Sequence, residues 1–242
     1  MPISENVLSE LRAVLGERLS TGESERALHG ASETFHRAPP PDAVAFPVDT
    51  GEVSAILKIC NAHGVPVIGW GTGTSLEGHA LAIHGGLVVD LMRMDRVLEI
   101  RPEDMLAVVQ PGVVIGALNA AVAPHGLIYP PDPGTVATAT MGGSAAENSG
   151  GLRGLKYGVT KNYIMGMEVV LANGDKVRFG GKTVKNVTAY DFATLFIGSE
   201  GTLGIITELT AKLIPAPRFR RTMTGAFSTL ADAGNAVAGI IA

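Results

Sequence analysis

Apolar residues recur at helical spacing through Val7, Leu8, Leu11, Val14, Leu15 and Leu19, which predicts an amphipathic N-terminal helix. A Pro-rich stretch, Ala38-Pro39-Pro40-Pro41-Asp42, reads as a linker, and Ala43 to Pro47 as a short strand. Asp49-Thr50-Gly51-Glu52 opens a second helix that runs to about His63 and ends at Gly64. Val65 to Ile68 and Gly86 to Leu91 are short apolar runs of the kind that form buried strands. Val97 to Ile100 and Met105 to Val109 read as strands joined by the turn Arg101-Pro102-Glu103-Asp104. Val114 to His125 is helical and is stopped by Gly126. Tyr163 to Ala172 and Lys176 to Phe179 flank Asn173-Gly174-Asp175, a hairpin signal. Ala189 to Phe196 reads as a short helix, Leu203 to Leu213 as a β-rich run, Thr222 to Phe227 as a strand and Leu230 to Ala242 as a helix. The order begins as βαβ and ends in hairpins, so an α+β fold with mixed sheets is expected rather than a doubly wound sheet.

Composition sharpens this picture at one point. The chain has 242 residues, 46% hydrophobic, with a net charge of −4. That suits a packed core and argues against a disordered chain or a nucleic-acid binder, which needs a basic footprint. Its 31 glycines are the anomaly, at about twice ordinary usage of about 7%. They follow no three-residue period, which excludes collagen. The single cysteine, Cys60, cannot form an internal disulfide and reads as a small buried hydrophobe on a helix face. The N-terminus lacks a signal peptide's pattern, and no apolar run reaches about 18 residues. A cytoplasmic, reducing setting is expected, with peripheral attachment to a membrane left open. Asn186-Val187-Thr188 matches a glycosylation acceptor, a motif without meaning in an unsecreted chain.

The glycines gather in three clusters. The first is Gly69-Trp70-Gly71-Thr72-Gly73-Thr74-Ser75, followed by Leu76-Glu77-Gly78. Gly alternating with Thr and Ser after a strand offers unhindered N–H groups and hydroxyls, a cradle for phosphate oxygens; a plain turn needs fewer glycines. The Rossmann fingerprint fails, because the sixth position is Thr74 counted from Gly69 and Leu76 counted from Gly71. Asp90, an acid ending a strand about 20 residues on, does not rescue it. A P-loop fails for want of Gly-Lys-Ser/Thr. The second cluster runs from Met141 to Gly151 and continues through Leu152 to Gly158; its small side chains suit a flat ligand lying on backbone, against the alternative of a glycine-rich surface loop. The third is Gly198-Ser199-Glu200-Gly201-Thr202-Leu203-Gly204, which alone is equally a bulged strand entry. The six histidines are scattered, with no metal-ligand spacing, and His79 and His84 read as ordinary solvated or packed residues.

Together, Gly71 to Gly78, Tyr129-Pro130-Pro131-Asp132-Pro133-Gly134, Gly142 to Gly158, Val187 to Asp191 and Phe196 to Thr207 resemble the FAD-binding domain of the vanillyl-alcohol oxidase/PCMH superfamily. Within it the pattern is most similar to the FAD-linked 2-hydroxyacid dehydrogenases of the glycolate oxidase D-subunit, D-lactate dehydrogenase (cytochrome) and D-2-hydroxyglutarate dehydrogenase type. The resemblance implies an α+β, PCMH-type fold of two α/β subdomains with mixed or antiparallel sheets. It implies a helical lead-in at 1–40, an FAD-binding domain at 41–217 and the start of a substrate (cap) domain at 218–242.

It also implies site residues. Gly71, Thr72, Gly73, Thr74, Ser75 and Leu76 would hold the pyrophosphate, and Pro131, Asp132 and Thr135 would lie along the cofactor. Gly142, Gly143, Asn148, Ser149 and Gly151 would line the isoalloxazine and its linker; Glu200, Gly204 and Ile206 would sit near ribose and adenine. Tyr157, Gly158 and Ile205 complete the set. Some members attach FAD through a histidine in the first loop; Thr74 stands there, so non-covalent FAD is expected. The implied reaction oxidises a small 2-hydroxyacid by passing the α-hydrogen as a hydride to flavin N5. The family's base and metal-binding histidines lie in its C-terminal half, so no catalytic base is assigned and no metal is expected in this chain. Arg153 or Lys156 would be either a partner for reduced flavin or substrate carboxylate, or a solvated surface charge. The electron acceptor, partner subunits and self-association stay open. Two other readings are an FAD-holding module without turnover of its own and a non-flavin nucleotide-binding protein using the same loop.

Overall fold

The computed structural model describes residues 2–241. Helix α1 (Glu5–Leu15) starts where Ser4 accepts a hydrogen bond from the Val7 N–H, and it buries Val7, Leu8, Leu11 and Leu15. The helical spacing continues to Leu19, but the backbone turns at Gly16, and Leu19 enters a two-residue strand, β1 (Leu19–Ser20). A short helix, α2 (Glu23–Leu28), and the Pro-rich linker lead to β2 (Ala43–Ala45). Helix α3 (Thr50–His63) is capped by Asp49, which accepts from the Glu52 N–H, and ends at left-handed Gly64. β3 (Val67–Trp70) and β4 (Leu87–Asp90) follow.

These strands form one sheet, in the order β1-β2-β4-β3. β2, β4 and β3 are parallel, and β1 closes the edge antiparallel. Every residue of β2 and β4 is buried, as expected of parallel strands covered on both faces. α1 and α3 pack together on this sheet around Leu11, Ile56, Cys60 and Leu87. Burial pushes the Cys60 thiol up to about 12, which leaves it inert.

The second sheet is antiparallel. β5 (Val97–Arg101) and β6 (Leu106–Val109) pair across the expected turn. Helix α4 (Ile115–Val122) and β7 (Leu127–Ile128) lead to α5 (Met141–Glu147) and α6 (Gly154–Tyr157). β8 (Ile164–Val170) and β9 (Lys176–Gly180) form the predicted hairpin; α7 (Phe192–Phe196), β10 (Ile205–Lys212), β11 (Ile214–Pro215) and α8 (Leu230–Ile241) complete the chain. The order is β5-β6-β10-β8-β9, and its core includes Val109, Leu118, Tyr129, Met141, Val169 and Leu209. α3 fills the junction between the two sheets, where Val53 and Leu57 meet Met94, Val170 and Ile205.

One expectation fails outright. Residues 222–227 form no strand. Phe219, Met223 and Phe227 are exposed, so the apolar alternation there has no neighbouring strand to pair with. α8 is helical as expected but buries none of its residues. No described helix is long and apolar enough to cross a membrane. The mixed sheet beside an antiparallel one matches the α+β expectation.

Candidate functional site

A cavity of about 400 Å³ opens between the ends of β3 and β4 on one side and α5 with the start of β10 on the other. All three glycine clusters reach it. The sequence rule behind this is simple: each cluster sits where a regular element begins or ends, and the two sheets bring those ends together.

The first loop leaves β3 after Trp70. The backbone at Gly73 has φ +66 and passes over the Trp70 indole, so a Cβ there would lie 2.4 Å from the ring. Only glycine fits that turn. Trp70 is itself buried, with the His29 ring 5.1 Å away. Among the described residues, the N–H groups of Thr72, Gly73, Thr74 and Ser75 have no hydrogen-bond acceptor within the chain. The loop is therefore a strip of free donors along the cavity wall.

The opposite wall is α5, capped by Thr140, whose hydroxyl accepts from the Gly143 N–H. The first part of the second cluster, residues 141–147, is therefore helix rather than loop, and its Gly and Ala residues leave room beside it. Ser144 lies 3% exposed and lines the cavity, yet its Oγ has no hydrogen-bond partner. A buried hydroxyl without a partner costs about 1–3 kcal/mol, and a polar ligand in the cavity would relieve that cost.

The structure gathers most of the predicted residues here. Gly71, Thr72, Gly73, Thr74, Ser75, Leu76, Thr135, Gly142, Gly143, Asn148, Ser149, Glu200, Gly204, Ile205 and Ile206 all line the cavity. Pro131, Asp132, Gly151, Tyr157 and Gly158 do not line it. Their arrangement shows why the motif needs them. A Cβ on Gly151 would fall 1.7 Å from the Asp132 carbonyl oxygen, so two motifs touch backbone to backbone. Arg153 pairs with Asp132 at 3.1 Å across the same contact, and Lys156 lies over the Tyr157 ring. Tyr157 packs on the core of the second sheet.

His79 departs from its expected role; His84 is exposed. His79 lines the cavity, with Nε2 2.9 Å from Glu147 Oε1 and Nδ1 3.6 Å from Glu200 Oε2. Neither His79 Nδ1 nor Glu147 Oε1 gains a directed hydrogen bond. Glu77, His79 and Glu147 each offer a ligand atom within 4.8 Å of the others. Nothing in the spacing of scattered histidines signals this, because Glu147 arrives from α5. Burial first, then the charges of Glu77 and Glu200, push the Glu147 carboxyl up to about 7. Asp90, the acid that mimicked a ribose ligand, instead bonds buried His29 at 2.9 Å.

Comparison with known proteins adds independent findings. The family model described as "FAD binding domain" matches residues 41–180. The chain is 45% identical over 241 residues to the glycolate oxidase subunit GlcD of Bacillus subtilis, covering 99% of this chain and 51% of that protein. It is 39% identical over 235 residues to the mitochondrial D-lactate dehydrogenase [cytochrome] of Arabidopsis thaliana, covering 96% and 41%. The structure of p-cresol methylhydroxylase with substrate bound superposes with a TM-score of 0.79 at 24% identity, covering 90% of this chain and 46% of that one. The chain spans about half the length of the curated relatives it matches.

Proposed function

This chain belongs to the FAD-binding domain family, and from that premise we propose that it holds FAD non-covalently in the glycine-walled cavity, as the flavin-binding half of an enzyme that oxidises a small 2-hydroxyacid. The observation that carries the reading is the convergence of three glycine clusters on one cavity whose wall holds an unpartnered buried hydroxyl. The donor set fits the group: free N–H groups for anionic oxygens, small side chains for a flat ring system.

In this reading the Thr72–Ser75 N–H groups donate to diphosphate oxygens. The Ser144 hydroxyl donates to, or accepts from, a polar edge of the cofactor. Gly142 and Gly143 keep side-chain bulk away from the ring. Asp132 and Gly151, in backbone contact, fix the two motifs against each other. When bound, FAD supplies the two-electron acceptor for the substrate's α-hydrogen. Residues 41–217 form the cofactor domain, and 218–241 lead into a further domain, supported by the lack of any buried residue in α8 and by the greater length of the relatives. The electron acceptor and partner subunits belong to the whole protein. The length relation also favours a second reading, a flavin-holding module without turnover of its own.

The test is spectroscopic. The chain, mixed with FAD and desalted, should keep visible flavin bands, and acid precipitation should release all colour to the supernatant. Loss of the bands on desalting refutes FAD binding; colour kept in the pellet refutes non-covalent attachment. Anaerobic bleaching by D-lactate, glycolate or D-2-hydroxyglutarate separates the enzyme from the silent module.

A further inference from the structure

Three walls of the cavity meet at one imidazole. His79 comes from the first loop, Glu147 ends α5, and Glu200 sits in the third glycine cluster. Glu77, two residues before His79, supplies a third carboxylate. The charged groups facing Glu147 are Glu77 and His79 from the loop and Glu200 from the third cluster. β10 packs on α5 with apolar Ile206, and Lys161, in the turn behind α5, is exposed and meets it through its backbone N–H to Asn148 Oδ1. Three carboxylates thus crowd around a single imidazole, and they cannot all stay ionised cheaply at this spacing. Glu147, 20% exposed, is more buried than Glu200 at 40%. Protonating it is the least costly relief.

An anion in the same cavity worsens the repulsion. FAD carries a charged diphosphate, and the Thr72–Ser75 loop that would hold it lines the same cavity as Glu147 and Glu200, where charges couple over roughly 10 Å. We propose that Glu147 takes up one proton as the cofactor enters the cavity, and that His79 is the positioning residue holding this carboxyl between the first loop and Glu200. The proton comes from solvent and stays on the carboxyl; no other bond changes. The inference rests on the cofactor reading above. It is supported by the upward displacement of the Glu147 carboxyl, which FAD would extend.

The test is the FAD dissociation constant of the 242-residue chain across pH, read by flavin fluorescence. Linkage of one proton gives wild-type binding that weakens about tenfold from pH 6 to pH 8. Glu147→Gln, which mimics the protonated carboxyl, should bind at the wild-type pH 6 level throughout, and so more tightly than wild type at pH 8. His79→Gln should move the wild-type inflection to higher pH, and Glu200→Gln to lower pH; a merely structural role predicts neither. If Glu147→Gln does not fold, these two shifts carry the test. Wild-type affinity flat from pH 6 to 8, or a slope surviving in Glu147→Gln, overturns the proposal while leaving FAD binding intact. No FAD binding at any pH overturns the cofactor reading itself.

Discussion

At the residue scale, the cavity rests on a buried pair that no local pattern announces. His29 is 2% exposed; its Nδ1–H donates to the Glu25 carbonyl and its Nε2–H to Asp90. Acceptors on both nitrogens require the doubly protonated ring. Burial opposes that charge, but the bond to Asp90, the Glu25 carbonyl and the Asp90 charge together outweigh it and raise the His29 pKa. Trp70, and above it Gly73, sit on this pair. Breaking a buried pair from one side costs about 3–5 kcal/mol, so His29→Ala should lower the urea midpoint sharply at pH 6. Because the folded pKa is raised, the pair's contribution is full below about 6.5 and fades as pH rises through the folded value. The gap between wild type and His29→Ala should therefore narrow by pH 9, and a gap constant with pH would show that His29 is neutral. The sequence could not show this pair, since 61 positions separate its members. The glycine clusters were legible because each needs its neighbours along the chain; His79 with Glu147 and Glu200 was not, for the same non-local reason.

At the element scale, the caps read from sequence hold: Asp49 starts α3 and Gly64 ends it. Strand assignments succeed where a partner exists, as in the β8–β9 hairpin, and fail at 222–227, where none does. What periodicity cannot show is how elements dock. α3 touches the second sheet through the Ser54 hydroxyl, which donates to the Gly174 carbonyl of the hairpin turn at 2.6 Å. Ser54 is 4% exposed, so removing its hydroxyl leaves a buried carbonyl unpaired. Ser54→Ala should cost about 1–2 kcal/mol, lowering Tm by several degrees at about 2–4 °C per kcal/mol for a chain of this size. An unchanged Tm would mean the hairpin and α3 are not coupled through this bond.

At the scale of the whole molecule, two sheets of different character face each other across a glycine-walled gap. The parallel sheet contributes a loop of free donors; the antiparallel side contributes α5 and the entry to β10. The central claim is that the cofactor occupies that gap. Ala146 lines it from α5, and its backbone carbonyl, which accepts from the Glu200 N–H, is untouched by a side-chain change. The most direct measurement is an FAD titration of wild type and Ala146→Trp, each checked for an intact fold by circular dichroism. Filling the gap should weaken FAD binding by about a hundredfold or more, as overpacking of about 3 kcal/mol implies. A folded Ala146→Trp chain that binds FAD as tightly as wild type would place the cofactor elsewhere and contradict the account.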